Sequence, residues 1–191
     1  MRLSIELGLH HDPTVQKGTF TEEESQLRLL LWGIVMVHDR GTSILLGRPL
    51  AIAPFDSNTA HPTRSKNSLN FSEHFLLSHP IAEIQADIIN SLYTPTKQTG
   101  DALTKQATRI IKNMVEFRKH LSDSYAHYFN ETDDWALEKK MKLVQYITED
   151  QGLTLLKIGT SRILLLRALF SSKELTYGQR HKALVDGVYP L

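Results

Sequence analysis

Cysteine is absent from the 191 residues, which excludes disulfides, a thiol nucleophile and any zinc site built on thiolates. That usage fits an intracellular compartment. Long apolar runs are missing too. The longest, 29–37 and 163–170, fall well short of the roughly 20 residues that span a bilayer, and residues 1–12 are too polar for a signal peptide. Neither sign of charge is in excess: 22 lysines and arginines face 21 aspartates and glutamates, a formal net charge of +1. No whole-molecule field therefore draws the chain to nucleic acid or to a membrane.

Reactive patterns are equally scarce. The sequence holds no Gly-x-Gly-x-x-Gly, no phosphate-binding Gly-Lys-Ser and no Gly-x-Ser-x-Gly elbow, so no enzymatic activity is expected. His10, His11 and Asp12 are adjacent, as are His38 and Asp39, but neither group has a metal-ligand spacing. No metal or cofactor is expected in this chain. Glu22–Glu24 and the Asp133/Asp134 pair sit where first helical turns favour carboxylates. Lys97, Lys105, Arg109, Lys112, Arg118 and Lys119 are interrupted by Asp101, Glu116 and Asp123, which reads as a solvated face rather than a nucleic-acid surface.

What is present is helical periodicity almost throughout. Residues 1–9 read as a helix with Leu3 and Leu7 on one side, loosened by Gly8 and stopped by Pro13. It lacks a cap, which suggests a polypeptide that continues upstream. Thr21 and Glu24 form a capping box for a helix reaching about residue 38–45. Residues 50–70, with Pro54, Asp56, Asn58, Pro62, Arg64, Ser65 and Asn67, lose the period and read as a long loop or covering arm. A short helix at 71–77 and another from Pro80 through Ile81, Ile84, Ile88 and Leu92 follow.

Residues 101–129 then read as one long amphipathic helix, with Leu103, Ala107, Ile110, Met114, Phe117, Leu121, Tyr125 and Tyr128 on its apolar side. The next, 133–149, is capped from Thr132, Asp133 and Asp134, anchored by Trp135, and carries a seam of Leu137, Met141 and Val144. A buried helix spans Leu155, Leu156, Ile163, Leu164, Leu166, Ala168, Leu169 and Phe170, and a shorter one covers about 174–187. No stretch alternates with a period of two. The expected fold is all-α, an irregular array of about six or seven packed, partly antiparallel helices in a single domain over 1–191.

The segment at 24–49 stands apart. Leu27, Leu30, Leu31, Ile34, Val35 and Val37 give its helix an apolar side broad enough to require burial. Asp39, Arg40 and Arg48 accompany this run, Arg48 in a Gly47-Arg48-Pro49 corner. Buried charges need partners, so the three are expected to form an ion pair and fix the corner, with Trp32 as the packing anchor. Contact with an effector is the alternative role for the same four residues.

Several separated phrases resemble one family. SIELGLHHD at 4–12 is similar to a helix ending in an "ELGLHRD" phrase, and Glu24, Arg28, Leu31 and Trp32 to an "E..RRRLWW" helix. HDRGTSILLGRP at 38–49 is similar to a "DR..S..LGRP" core, and TSRILLLRALF at 160–170 to a helix reading "ILLHRPFL". These belong to the fungal-specific transcription factor domain, the middle homology or regulatory region downstream of a binuclear zinc-cluster DNA-binding module. The resemblance implies a regulatory, effector-response domain in a nuclear regulator of RNA polymerase II transcription. Zinc and direct DNA contact would belong to an upstream six-cysteine cluster that this chain lacks. The implied partners are a small-molecule effector or a coregulator protein. A helical scaffold or homodimerisation module without a ligand is the other reading, resting on the long 101–129 helix and the apolar abundance of 153–170.

Overall fold

The computed structural model describes residues 2–16, 18–53, 55–60, 71–129 and 136–188. Among the described residues every regular element is a helix, eight in all, so the fold is all-α. They are α1 (Arg2–Glu6), α2 (Glu22–Leu46), α3 (Glu73–Leu92), α4 (Gly100–Lys119), α5 (Asp123–Phe129), α6 (Leu137–Gln145), α7 (Glu149–Ser171) and α8 (Tyr177–Val188). The chain divides into two compact units, Met1–Ile89 and Asn90–Leu191, with α3 running across the division. The expected cap at Thr132–Asp134, Trp135, and Pro54, Pro62, Arg64, Ser65 and Asn67 of the arm lie outside the described residues.

In the first unit α2 starts as expected. Thr21 Oγ1 accepts from the Glu24 amide while the Glu24 carboxylate accepts from the Thr21 amide, a reciprocal capping box. The backbone bond of Thr21 and then its hydroxyl hold the Glu24 carboxyl below the usual carboxylate range. α2 ends at Gly47, whose φ of 62° is left-handed and suits a residue without a Cβ. There the Arg48 amide closes the last turn onto the Ser43 carbonyl at 2.9 Å. By length and composition alone α2 would also suffice to cross a bilayer, a property that core helices of soluble proteins share.

The face that α2 buries differs from the expected one. Ser25, Leu29, Trp32, Gly33, Asp39, Arg40 and Ser43 are buried, whereas Leu27, Leu31 and Ile34 are exposed. α2 is apolar almost all round, so amphipathicity alone barely distinguishes its faces. Particular partners decide instead. Trp32 packs with Leu9 and Ile52, flanked by Val35 and Met36, and the polar residues of the same face meet the chain that follows Pro49.

α3 is one helix where two were expected at 71–77 and 80–92. Pro80 lies inside it, where it has no N–H to bond the preceding turn. Burial continues across the proline, from Ser78 and His79 to Ile81, Ala82, Gln85, Ala86 and Ile88, which keeps the two halves in one helix.

In the second unit the expected long helix over 101–129 is broken. α4 stops at Lys119, and the His120 amide turns back onto the Phe117 carbonyl at 3.0 Å. α5 then folds back. Arg118 Nη2 donates to the Phe129 carbonyl at 2.8 Å and its guanidinium lies 5.0 Å from the Phe129 ring centroid. The break places Tyr125 in full burial. α4 otherwise follows its pattern, with Leu103, Ala107, Ile110, Ile111 and Met114 buried. Its first residue, Gly100, lies so close to the Glu174 carbonyl that a Cβ there would collide, and Asp101 accepts from Gln179 of α8 at 3.1 Å.

α7 begins earlier than expected, at a capping box formed by Thr148 and Gln151. It buries Thr154, Ser161, Leu165 and Leu169. Leu156 and Ile163, expected inside, are exposed. The seam expected on the 133–149 helix is likewise outward: Leu137, Met141 and Val144 are exposed and α6 buries no residue.

Candidate functional site

The site grows from Asp39 and Arg40. Both fall on the buried face of α2, and their side chains are 2% and 3% exposed respectively. Arg40 Nη1 donates to Asp39 Oδ2 at 2.7 Å. The Asp39 carboxylate also accepts from two backbone amides, Ala51 at 3.2 Å and Ile52 at 3.3 Å. One carboxylate thus neutralises the arginine and caps the strap after the Gly47-Arg48-Pro49 corner, holding Ile52 in the core beside Trp32. Ser43 Oγ completes the strap by donating to the Pro49 carbonyl at 3.2 Å.

Burial pushes the Arg40 guanidinium below its usual range, while the charge and hydrogen bond of Asp39 and the charge of Glu83 pull it back. An arginine nevertheless stays protonated. Its fork has five N–H donors, and the bond to Asp39 is the one its side chain makes among the described residues.

A cavity of about 110 Å³ opens beside it. Trp32, Met36 and Ala82 supply apolar wall, Gly33 supplies bare backbone, and Arg40, Ser57, Thr59, His79 and Glu83 supply polar groups. The arm forms part of this wall because it is fastened to the turn after α1. Ser57 Oγ and the Asn58 amide both donate to the His10 carbonyl, at 3.0 and 3.2 Å, and Thr59 Oγ1 donates to the Leu9 carbonyl at 2.9 Å. Residues 57–59 are thereby held against the turn after α1. The adjacent His10 and His11 rings lie against each other at a tilt of 41°, centroids 3.8 Å apart, with His10 6.2 Å from Trp32.

Of the four residues singled out in the sequence, Trp32 and Arg40 face this cavity and Asp39 backs it. Arg48 does not reach this cavity. It is exposed, at a second depression that Asp39, His38 and Thr42 also line, and its side chain makes no hydrogen bond or ion pair among the described residues. The expected buried role for Arg48 is corrected: in the corner the backbone amide is what bonds, and a Schellman-type turn sends the side chain outward. His79 and Glu83 were not assigned a role from sequence. Their spacing of four on a helix, which puts them on one face, is the signal that pairs them.

The zinc cluster that the resemblance implies cannot be built from a chain without cysteine, and among the described residues no three histidines, aspartates or glutamates gather as metal ligands. No protein-family model, curated protein or solved structure matches the chain.

Proposed function

We propose that this chain is the regulatory, effector-response domain of a nuclear fungal zinc-cluster transcription regulator, adjusting RNA polymerase II output through a small-molecule effector or a coregulator protein. The observation that supports this reading is the coherence of the phrase carrying the resemblance. Within HDRGTSILLGRP the aspartate clamps the strap beyond the proline, and the arginine beside it lines a cavity. A ligand entering there would press on the 57–60 segment and on α3 together, which is how a small site biases helix packing. DNA contact and zinc stay with an upstream module in this reading.

The test fuses the whole chain to a heterologous DNA-binding module and measures transcription from a matching promoter across growth conditions. Output should differ from that of the module alone and should change with Asp39→Asn at equal protein abundance. Output indistinguishable from the bare module under every condition would sink the reading.

A second reading, a helical scaffold or homodimerisation module, is favoured by one specific observation. Leu27, Leu31 and Ile34 on α2, and Leu153, Leu156, Ile163 and Phe170 on α7, form exposed apolar stripes at helical spacing. Light scattering over a concentration series distinguishes the two. A constant monomer mass argues against the scaffold, and a mass that doubles with concentration supports it.

A further inference from the structure

The outward side of α2 is regular over most of the helix. Leu27, Leu31, Ile34, His38, Gly41 and Leu45 follow one another at alternating steps of four and three, and all six are exposed. Such steps keep residues on one narrow stripe, the spacing by which one helix seats another. The stripe runs for about 27 Å at a rise of 1.5 Å per residue. Half-buried Leu30, Val37 and Ile44 border it on one side, so a covering helix would meet a mostly apolar strip.

Size and charge together name the occupant. Gly41 is a gap, with nothing within 4 Å of where its Cβ would stand, and Leu31 is a projection able to fill such a gap. An antiparallel second copy of α2 sets Leu31 over the partner's Gly41, Leu27 against the partner's Leu45 and Ile34 against the partner's His38. Every residue of the stripe then meets another member of the same stripe, as a twofold interface requires. Charge selects the same orientation. The first turn of α2 carries Glu22, Glu23 and Glu24, while the corner at its other end presents the exposed Arg48. Antiparallel pairing brings each acidic turn to the partner's Arg48 and opposes the two helix dipoles, whereas parallel pairing would set carboxylates on carboxylates and arginine on arginine.

We propose that two copies of this chain associate through the outer face of α2, as an antiparallel pair centred between Ile34 and His38. This deepens the homodimer reading and rests on it. A seam about 27 Å long and one helix wide covers less than the roughly 800 Å² per partner of a standard interface. The dimer therefore dissociates on dilution, with a Kd on the order of 10 μM. Unfolding of the dilute chain reports the monomer, in which Leu27 and Arg48 face water.

The parent has no cysteine, so introduced thiols report the geometry. Leu27→Cys and Leu45→Cys, at side chains 47% and 83% exposed, are prepared separately and mixed in a glutathione redox buffer above that Kd. The mixture is expected to give a disulfide-linked dimer that joins one variant to the other, in preference to either variant linking with itself. By light scattering the parent mass should move from one chain to two as concentration rises through the Kd. Gly41→Arg enters open space in the monomer and should raise the Kd by about tenfold or more while the helical circular dichroism is kept. If that variant does not fold, Leu45→Arg takes its place with the same expectation.

A monomer mass at every concentration overturns the proposal and the homodimer reading together, whether the face is then found on vesicles or on another protein. A doubling mass with Leu27→Cys linking preferentially to itself, with no mixed cross-link, or with a folded arginine variant that dimerises like the parent overturns the proposal alone. The homodimer reading would then pass to another face, such as that of α7.

Discussion

α4 and α2 are both long helices, yet they meet the core by opposite rules. In α4 the apolar residues Leu103, Ala107, Ile110, Ile111 and Met114 go inside, and the charged residues other than the half-buried Arg118 stay outside. In α2 a serine, a glycine, an aspartate, an arginine and another serine go inside with Leu29 and Trp32, while Leu27, Leu31 and Ile34 face out. Apolar area orients a helix only when it is concentrated on one side. Where leucine and isoleucine surround the axis, the orientation falls to groups with a single acceptable partner, here a carboxylate with two backbone amides and an arginine to satisfy. α7 behaves like α2. Thr154 and Ser161 are buried with their hydroxyls donating to the Asp150 and Lys157 carbonyls, both at 2.8 Å, and Leu156 and Ile163 are outside.

The comparison breaks most visibly at Asp39. Asp39→Ala leaves Arg40 buried without its counterion and strands the Ala51 and Ile52 amides, so it should cost about 3–5 kcal/mol in urea unfolding. A cost under about 1 kcal/mol would mean that the polar pair does not orient α2. On α4 the equivalent lesion is apolar. Ile110→Ala, at a fully buried position, is expected to lose about 2–5 kcal/mol through transfer and cavity effects.

Thr21→Ala removes the α2 cap and should cost about 1 kcal/mol near neutral pH. Part of the parent's advantage should fade in acid. The residue-21 amide, which alanine keeps, is the larger cause of the lowered folded-state pKa of Glu24 and the Thr21 hydroxyl the smaller, so the hydroxyl's share of the linked stability is complete above the unfolded pKa and is lost as pH falls through the folded one. Stability curves of parent and variant that stay parallel down to strong acid would refute the link.

Smallest of all should be Leu27→Gln on the outer face of α2 and Arg48→Ala at the corner. Each is expected within about 0.5 kcal/mol of the parent, since both side chains are exposed. A large loss from Leu27→Gln would show that the outer face of α2 is covered in solution, which concentration-dependent unfolding would confirm.

Capping and period made much of the fold legible. The Thr21–Glu24 box, Gly8 and Gly47 as helix terminators, and the apolar side of α4 were each readable because their causes lie within one turn of the chain. The Thr148–Gln151 box is equally local, its two members three residues apart ahead of the leucines of α7. Less of the site was legible. Trp32, Asp39 and Arg40 stand out as large or charged residues in an apolar run, but His79, Glu83, Ser57 and Thr59 are ordinary in sequence. Only the fastening of 57–59 to the turn at Leu9 and His10 brings them to the same cavity.

By itself the sequence determined that this protein is helical and where most helices begin and end, because caps, turns and periodicity act over three or four residues. The tertiary structure decided which faces of α2 and α7 are buried, that 120–122 breaks a pattern otherwise continuous, and that Arg40 faces a cavity while Arg48 faces water. Several of those outcomes depend on partners beyond the local turn, such as the Ala51 and Ile52 amides for Asp39 and the Phe129 carbonyl for Arg118, which leave no trace in a residue's own neighbourhood.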